Sequence, residues 1–431
     1  MVRVGFRWLV LPLVGLLATA IAWSEYRALR AVDPADPLSS RGSVQASQPW
    51  SGWAGLRLAR LAESFWRLDP PGAEAMFSWH LSRYPLDRDA WHDLAVVSRH
   101  LDRDRSVVLA HLEAAVAVQP GHRETRWRAA TLAQLLGDDS RAEAHLRRWL
   151  EGQPSATGQA LFAGSRWIHD PDAQLERLLP AGEEYLAAAV AYARRHHRLD
   201  LAKVAWKRLS QPRDPDDPVL LDFIDLALAQ GDFNAAMAAW QLSFPDYRPG
   251  EVPNADFRHP LGVPRGLHWG ARMPAGAEAQ RDLETFVRQP ASLRIDFDGS
   301  ENLRLRQPRL RIPLAQPGDG WVLSGYWRGE GLTTRALPYL NVWLDGGRHA
   351  RLDVPGASFD WTPFRIELMG SEESRLMHLQ LRRDPPSQDF DRFLAGSLWL
   401  DALRIQPLAD PHAPGQAPNE AASPDAGISS P

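Results

Sequence analysis

The chain has 431 residues, 44% of them hydrophobic, and a formal net charge of -4. That is enough apolar material for two or more separately cored domains, and it lacks the basic excess that a nucleic-acid binder carries. Cysteine is absent, which excludes disulfides, thiolate metal sites and thiol nucleophiles together.

In chain order, the first element is an apolar run from Trp8 to Trp23, with Arg3 and Arg7 before it and Arg27 and Arg30 after it. Basic residues ahead of such a run are the pattern of a secretory signal. The flanking arginines and tryptophans suit the two surfaces of a bilayer, so residues 1–30 are expected to be an uncleaved signal anchor, a transmembrane helix. Ala18-Thr19-Ala20 and Ala20-Ile21-Ala22 offer small-residue cleavage patterns, and removal of the segment is the alternative. Residues 31–50, rich in Pro, Ser, Asp and Ala without an apolar period, read as a linker.

From 51 to 245 the chain becomes rich in alanine, leucine and arginine with helical spacing of its apolar residues. Pro85, Pro120 and Pro154 are spaced by 35 and 34, and "DLAKVAW" from Asp200 recurs as "NAAMAAW" from Asn234, 34 residues later. A fixed period near 34 with a proline closing each unit predicts stacked helical hairpins. Trp91, Leu94, Ala95, Ala114 and Pro120, then Ala142, Leu146 and Pro154, sit where the large, small and closing positions of tetratricopeptide repeats recur, and the region resembles that family. Val107 stands where the family has a small residue, and residues 155–183 fit the pattern poorly. The resemblance implies a solenoid whose groove holds a protein partner.

The helical period stops near Phe244 in a segment dense in proline and glycine. Beyond it come short alternating runs near 292–297, 308–314, 321–328, 339–345, 362–368, 375–383 and 397–406, which predict an antiparallel β-sandwich over residues 246–407. Residues 408–431 have too little apolar content to fold and read as a disordered tail. The expected fold class is thus multidomain α plus β: a membrane helix, a tetratricopeptide-like α-solenoid and an antiparallel β-sandwich.

In "LPYLNVWLDGG", Leu340, Val342 and Leu344 alternate with Tyr339, Asn341 and Trp343. One set belongs in a core and the other faces outward. The same alternation sends Tyr326 and Arg328, Arg365 and Glu367, and His378, Gln380 and Arg382 outward. If these ten residues share one sheet, aromatic rings edged by amides, guanidinium groups and a carboxylate form a platform suited to a pyranose. The bland alternative is an ordinary solvated or partner-covered sheet face.

"NADF" at Asn254, "LHW" at Leu267 and "GSLWLDALRI" from Gly396 to Ile405 resemble the jelly-roll carbohydrate-binding modules of glycan-active proteins. With the repeats, the chain resembles membrane-anchored repeat proteins of bacterial exopolysaccharide assembly. The resemblance implies a single-pass inner-membrane protein with most of its chain in the periplasm. It also implies membrane contact through the N-terminal helix, a protein partner on the repeats and a polysaccharide on the sandwich. Nucleic acid is not an expected partner.

Asp256 and Asp401 are the candidate ligands of a structural calcium, because such modules often tie their first and last strands through an oxygen-ligated ion. No other cofactor is expected. "DFDGSEN" is not an EF-hand, since the twelfth position from Asp296 is Gln307 and not a glutamate. Neither Gly-x-Ser-x-Gly nor His-Glu-x-x-His occurs. The expected function is that of a non-catalytic scaffold in cell-envelope polysaccharide assembly or export. The alternatives are a pure protein-interaction adaptor and a glycoside hydrolase using Asp345 and Glu367 as paired acids.

Overall fold

The computed structural model describes residues 66–209, 214–316, 320–347, 349–371, 373–386 and 388–408, together with Thr19. Apart from Thr19 and Leu408, the expected anchor, linker and C-terminal tail lie outside them. None of the helices among the described residues is long and apolar enough to cross a membrane. The expected single-pass inner-membrane placement is corrected on that finding. The described chain falls into two compact units that divide between Tyr192 and Ala193.

In the first unit α1 (Pro70–Arg83) precedes a repeating part made of α2 (Arg88–His100), α3 (Arg105–Val118), α4 (Arg123–Leu135) and α5 (Asp139–Leu150). The local causes of these helices are visible at their starts. Asp69, Asp87 and Asp138 each accept a hydrogen bond from an amide of the first turn, which satisfies a donor the helix cannot. The hairpins α2–α3 and α4–α5 follow the proline period of the sequence. They bury Ala95, Leu112, Ala129, Ala133 and Ala142 in one shared cluster, alanine where the backbones approach closely.

After Pro154 come α6 (Thr157–Gly164) and α7 (Pro171–Leu178). At eight residues each they are too short to carry the repeat's full pattern, which is why residues 155–183 fit it poorly. The next helix, α8 (Glu183–Arg195), ends just inside the second unit.

The second unit continues with α9 (Leu199–Arg208), α10 (Pro218–Ala229) and α11 (Phe233–Ser243), followed, among the described residues, by nine strands. Helices give way to irregular chain at 244, yet the compact unit starts earlier, because α10 and α11 are bonded to the sandwich. β1 (Ala277–Asp282), β2 (Ser292–Asn302), β9 (Phe393–Pro407), β4 (Gly320–Glu330) and β7 (Phe359–Met369) form a five-stranded sheet in that order. β3 (Arg309–Pro313), β8 (Leu376–Arg382), β5 (Tyr339–Leu344) and β6 (His349–Asp353) form a four-stranded sheet, and every pairing is antiparallel.

Between the sheets lies one core, to which Leu293, Leu323, Trp327 and Ile366 contribute from one side and Leu340, Val342, Leu344 and Leu379 from the other. At its edge Arg383 is 0% exposed. Its guanidinium donates to the carbonyls of Ala336, Leu303, Asp391 and Arg392 at 2.7–3.2 Å. One side chain therefore ties three separate loops, its charge spread over backbone acceptors in place of a carboxylate.

Candidate functional site

The register of the four-stranded sheet sets its outer face in cross-strand rows. Arg311, His378, Trp343 and His349 are successive partners across β3, β8, β5 and β6. Two residues along each strand lies the row Arg309, Gln380, Asn341 and Arg351, and beyond it Arg382, Tyr339 and Asp353. Strand alternation and antiparallel pairing make such rows directly. Six of the ten expected glycan-binding residues, Tyr339, Asn341, Trp343, His378, Gln380 and Arg382, thus share one face.

The other four do not. Tyr326 and Arg328 lie on β4 and Arg365 and Glu367 on β7, in the five-stranded sheet, whose outer face points away from that of its partner. The expected single platform is corrected to two faces. Sequence alternation separates inside from outside but carries no information on which sheet a strand joins. On the second face Arg365 pairs with Glu367 at 3.1 Å, and Arg328, with Arg294, lies over the ring of Trp399 at 5.1 and 5.2 Å.

The rings of the first face are also not open for stacking. Trp343 is flanked by His378 at 4.8 Å with planes 6° apart and by His349 at 4.8 Å and 24°, so both indole faces are covered and an edge points outward. The Arg351 guanidinium sits 3.8 Å from the centre of the Tyr339 ring, and the Tyr339 hydroxyl donates to Asp384 at 2.8 Å. Tyr339 and Asn341 are only 6% and 5% exposed. What the face offers a ligand is polar: His378, Gln380, Arg382, Arg309, Arg311 and Arg351.

At the β3 end this face forms one wall of a cleft of about 960 Å³. The opposite wall is α10, through Asp225, Leu226 and Ala229, with Arg194, Arg195 and His197 at the end of α8 and Arg265 alongside. Asp225 accepts from Arg311, from Arg265 Nε at 2.9 Å and from the Gly266 amide at 3.0 Å. Arg265 also pairs with Asp222, which receives Arg194 at 2.9 Å.

Burial acts to raise the Asp225 carboxyl, but the charge and hydrogen bond of Arg311, helped by Gly266 and Arg265, hold it below the usual carboxylate range. Burial, with the nearby Arg311 guanidinium, pushes His378 down to about 4, so its imidazole is neutral at physiological pH. Arg309 and Arg311 were not among the expected site residues; their alternation with Leu310 and Ile312 is the signal that could have found them as outward. The meeting of Arg311 with Asp225, on a helix 86 residues away, had no local signal.

The candidate calcium ligands have protein partners instead. Asp256 pairs with Arg258 at 2.7 Å, and Asp401, 0% exposed, accepts the amides of Val287 and Arg288 at 2.6 and 2.8 Å. Burial lifts the Asp401 carboxyl above its ordinary value despite these donors. Among the described residues no group of three or more His, Cys, Asp or Glu side chains is arranged to hold a metal ion. The loop between β1 and β2 is joined to the last strand, β9, by backbone donors on a buried carboxylate.

No protein-family model matches the chain, and no curated protein matches it. Among solved structures it is similar to the MamA protein, at 12% identity over 46% of this chain and 100% of that one, with a TM-score of 0.29. It is similar to PilW, described as a widely conserved type IV pilus biogenesis factor, at 19% identity over 46% and 96%, TM-score 0.25. A third likeness is to the CBM22-1 xylan-binding domain of Paenibacillus barcinonensis Xyn10C, at 16% identity over 31% and 83%, TM-score 0.21. At these TM-scores the likenesses are partial and carry nothing further.

Proposed function

We propose that the protein is a non-catalytic binding scaffold in cell-envelope polysaccharide assembly or export. In this reading the helical hairpins hold a polypeptide and the outer face of the four-stranded sheet takes a glycan. The observation that carries it is the set of cross-strand rows, which sets His378, Gln380, Arg382, Arg309 and Arg351 on one outer face. Forked and amide donors in such rows suit the paired hydroxyls of a sugar chain.

The non-catalytic part is supported by the acids themselves. Glu367 is on the five-stranded sheet and paired with Arg365, while Asp345 follows β5 of the other sheet and accepts the amides of Arg375 and Leu376. A glycosidase needs its two carboxyl groups flanking one bond, and these flank none. The covered faces of Trp343 and Tyr339 favour a second reading, an adaptor that binds only protein. Affinity electrophoresis of the full chain through gels loaded with neutral and acidic polysaccharides separates the two. Retardation that weakens in a Gln380→Ala, Arg382→Ala double variant is expected; no retardation by any polysaccharide would leave the adaptor reading standing.

A further inference from the structure

From the cleft between α10 and the four-stranded sheet we infer that the bound glycan is acidic, a saccharide bearing carboxylate or sulfate groups that enters beside Arg309 and Arg311. This deepens the glycan reading above and rests on it.

The charge balance of the cleft carries the inference. Besides Arg195, four guanidinium groups, those of Arg194, Arg265, Arg309 and Arg311, line it, against two carboxylates, Asp225 in the wall and Asp222 behind Arg265 and Arg194. Both carboxylates already receive two guanidinium groups each, so the surplus is positive charge held in place by the fold. Arg309 is exposed and its guanidinium donates to the Pro264 carbonyl at 3.1 Å, and among the described residues no carboxylate pairs with it.

A guanidinium fork matches the two oxygens of a carboxylate or sulfate, and neighbouring arginines fixed by Asp225 need no reordering to receive one. The site volume, about 960 Å³, is at the upper end for a ligand cleft and accommodates a short run of sugar rings. The row that contains Arg309 continues through Gln380 to Arg351, so a chain leaving the cleft meets further donors for its hydroxyls. An acidic peptide would use the same charges but has no need of that row, and it is the rival occupant.

The test uses the full chain in calorimetric titrations with two matched pairs: oligogalacturonate against its methyl ester, and dextran sulfate against dextran. Tighter binding of the acidic member, by tenfold or more in either pair and weakening as salt is raised, is expected. Arg309→Gln, a surface change that leaves the Asp225 cluster intact, is expected to weaken it three- to tenfold. Equal binding of acidic and neutral members would overturn the inference while leaving the glycan reading in place. Binding of none of the four would overturn both. Poly-glutamate binding as tightly as the acidic saccharides would overturn the inference in favour of an acidic polypeptide.

Discussion

Replacing Asp225 by alanine removes the acceptor at which α10 meets the sandwich. Three charge-assisted hydrogen bonds end on that carboxylate, from Arg311, Arg265 and the Gly266 amide. At about 1.5–3 kcal/mol each a simple total would overstate the loss, because the donors keep other acceptors. Arg265 retains Asp222, and Arg311 retains the Gly266 carbonyl at 2.7 Å. Both arginine side chains are also 28–29% exposed, so water reaches them.

Only the Gly266 amide is left without a partner. The expected cost is therefore about 2–3 kcal/mol, below the 3–5 typical of breaking a fully buried pair. A single unfolding curve of a chain with two compact units does not isolate the opening of one helix. Hydrogen exchange of peptides covering α10 reads local opening instead, and the expected rate increase is roughly 30- to 150-fold, at 1.36 kcal/mol per decade, with α2 to α5 unchanged. The carboxyl is held low in the fold, so the effect is full above about pH 4 and closes as pH falls through the lower folded value. An increase below threefold would refute the ion cluster as the bond between α10 and the strands.

Arg383→Met strands four carbonyls at the sandwich edge and should cost about 3–5 kcal/mol; a near-ultraviolet melt that shifts by less than the equivalent of 1 kcal/mol would contradict this. His378, depressed to about 4 from an ordinary 6.5, contributes stability that is complete above the unfolded value and is lost as pH falls towards 4. That amounts to about 3 kcal/mol at 1.36 per unit, and His378→Phe should flatten the slope of melting temperature against pH in this window. Gly396 has φ +110°, and a Cβ there would fall on the Gly331 carbonyl oxygen. Gly396→Ala should therefore cost about 2–4 kcal/mol, measured by thermal melting, and a loss under 0.5 would show that the β9 backbone can yield.

What the sequence revealed followed the physics of each element. The hairpins were legible because Pro85, Pro120 and Pro154 punctuate chain that must turn at fixed intervals. The central strands were legible because Leu340, Val342 and Leu344 alternate cleanly into the core. The edge strands β1 and β6 were missed: neither holds a buried residue, and a polar edge is how a sheet discourages further pairing. The shared platform failed because Tyr326 and Trp343 are both outward residues of strands that join different sheets. That choice is made by strand order, a long-range property with no period to read.

The close approach at Gly266 has a consequence for how this chain can be divided. A Cβ on that residue would lie 2.7 Å from Leu221 and 3.4 Å from Trp240, so a bare stretch of backbone shields the apolar flank of the α10–α11 hairpin from water. A stacked array ordinarily ends in a unit with a polar outer surface; here a loop of the sandwich does that work. Cutting at residue 245 would bare Leu221 and Trp240 on one fragment and leave Arg265 and Arg311 without their carboxylates on the other. The α10–α11 hairpin and the sandwich therefore have to be kept together wherever this chain is divided.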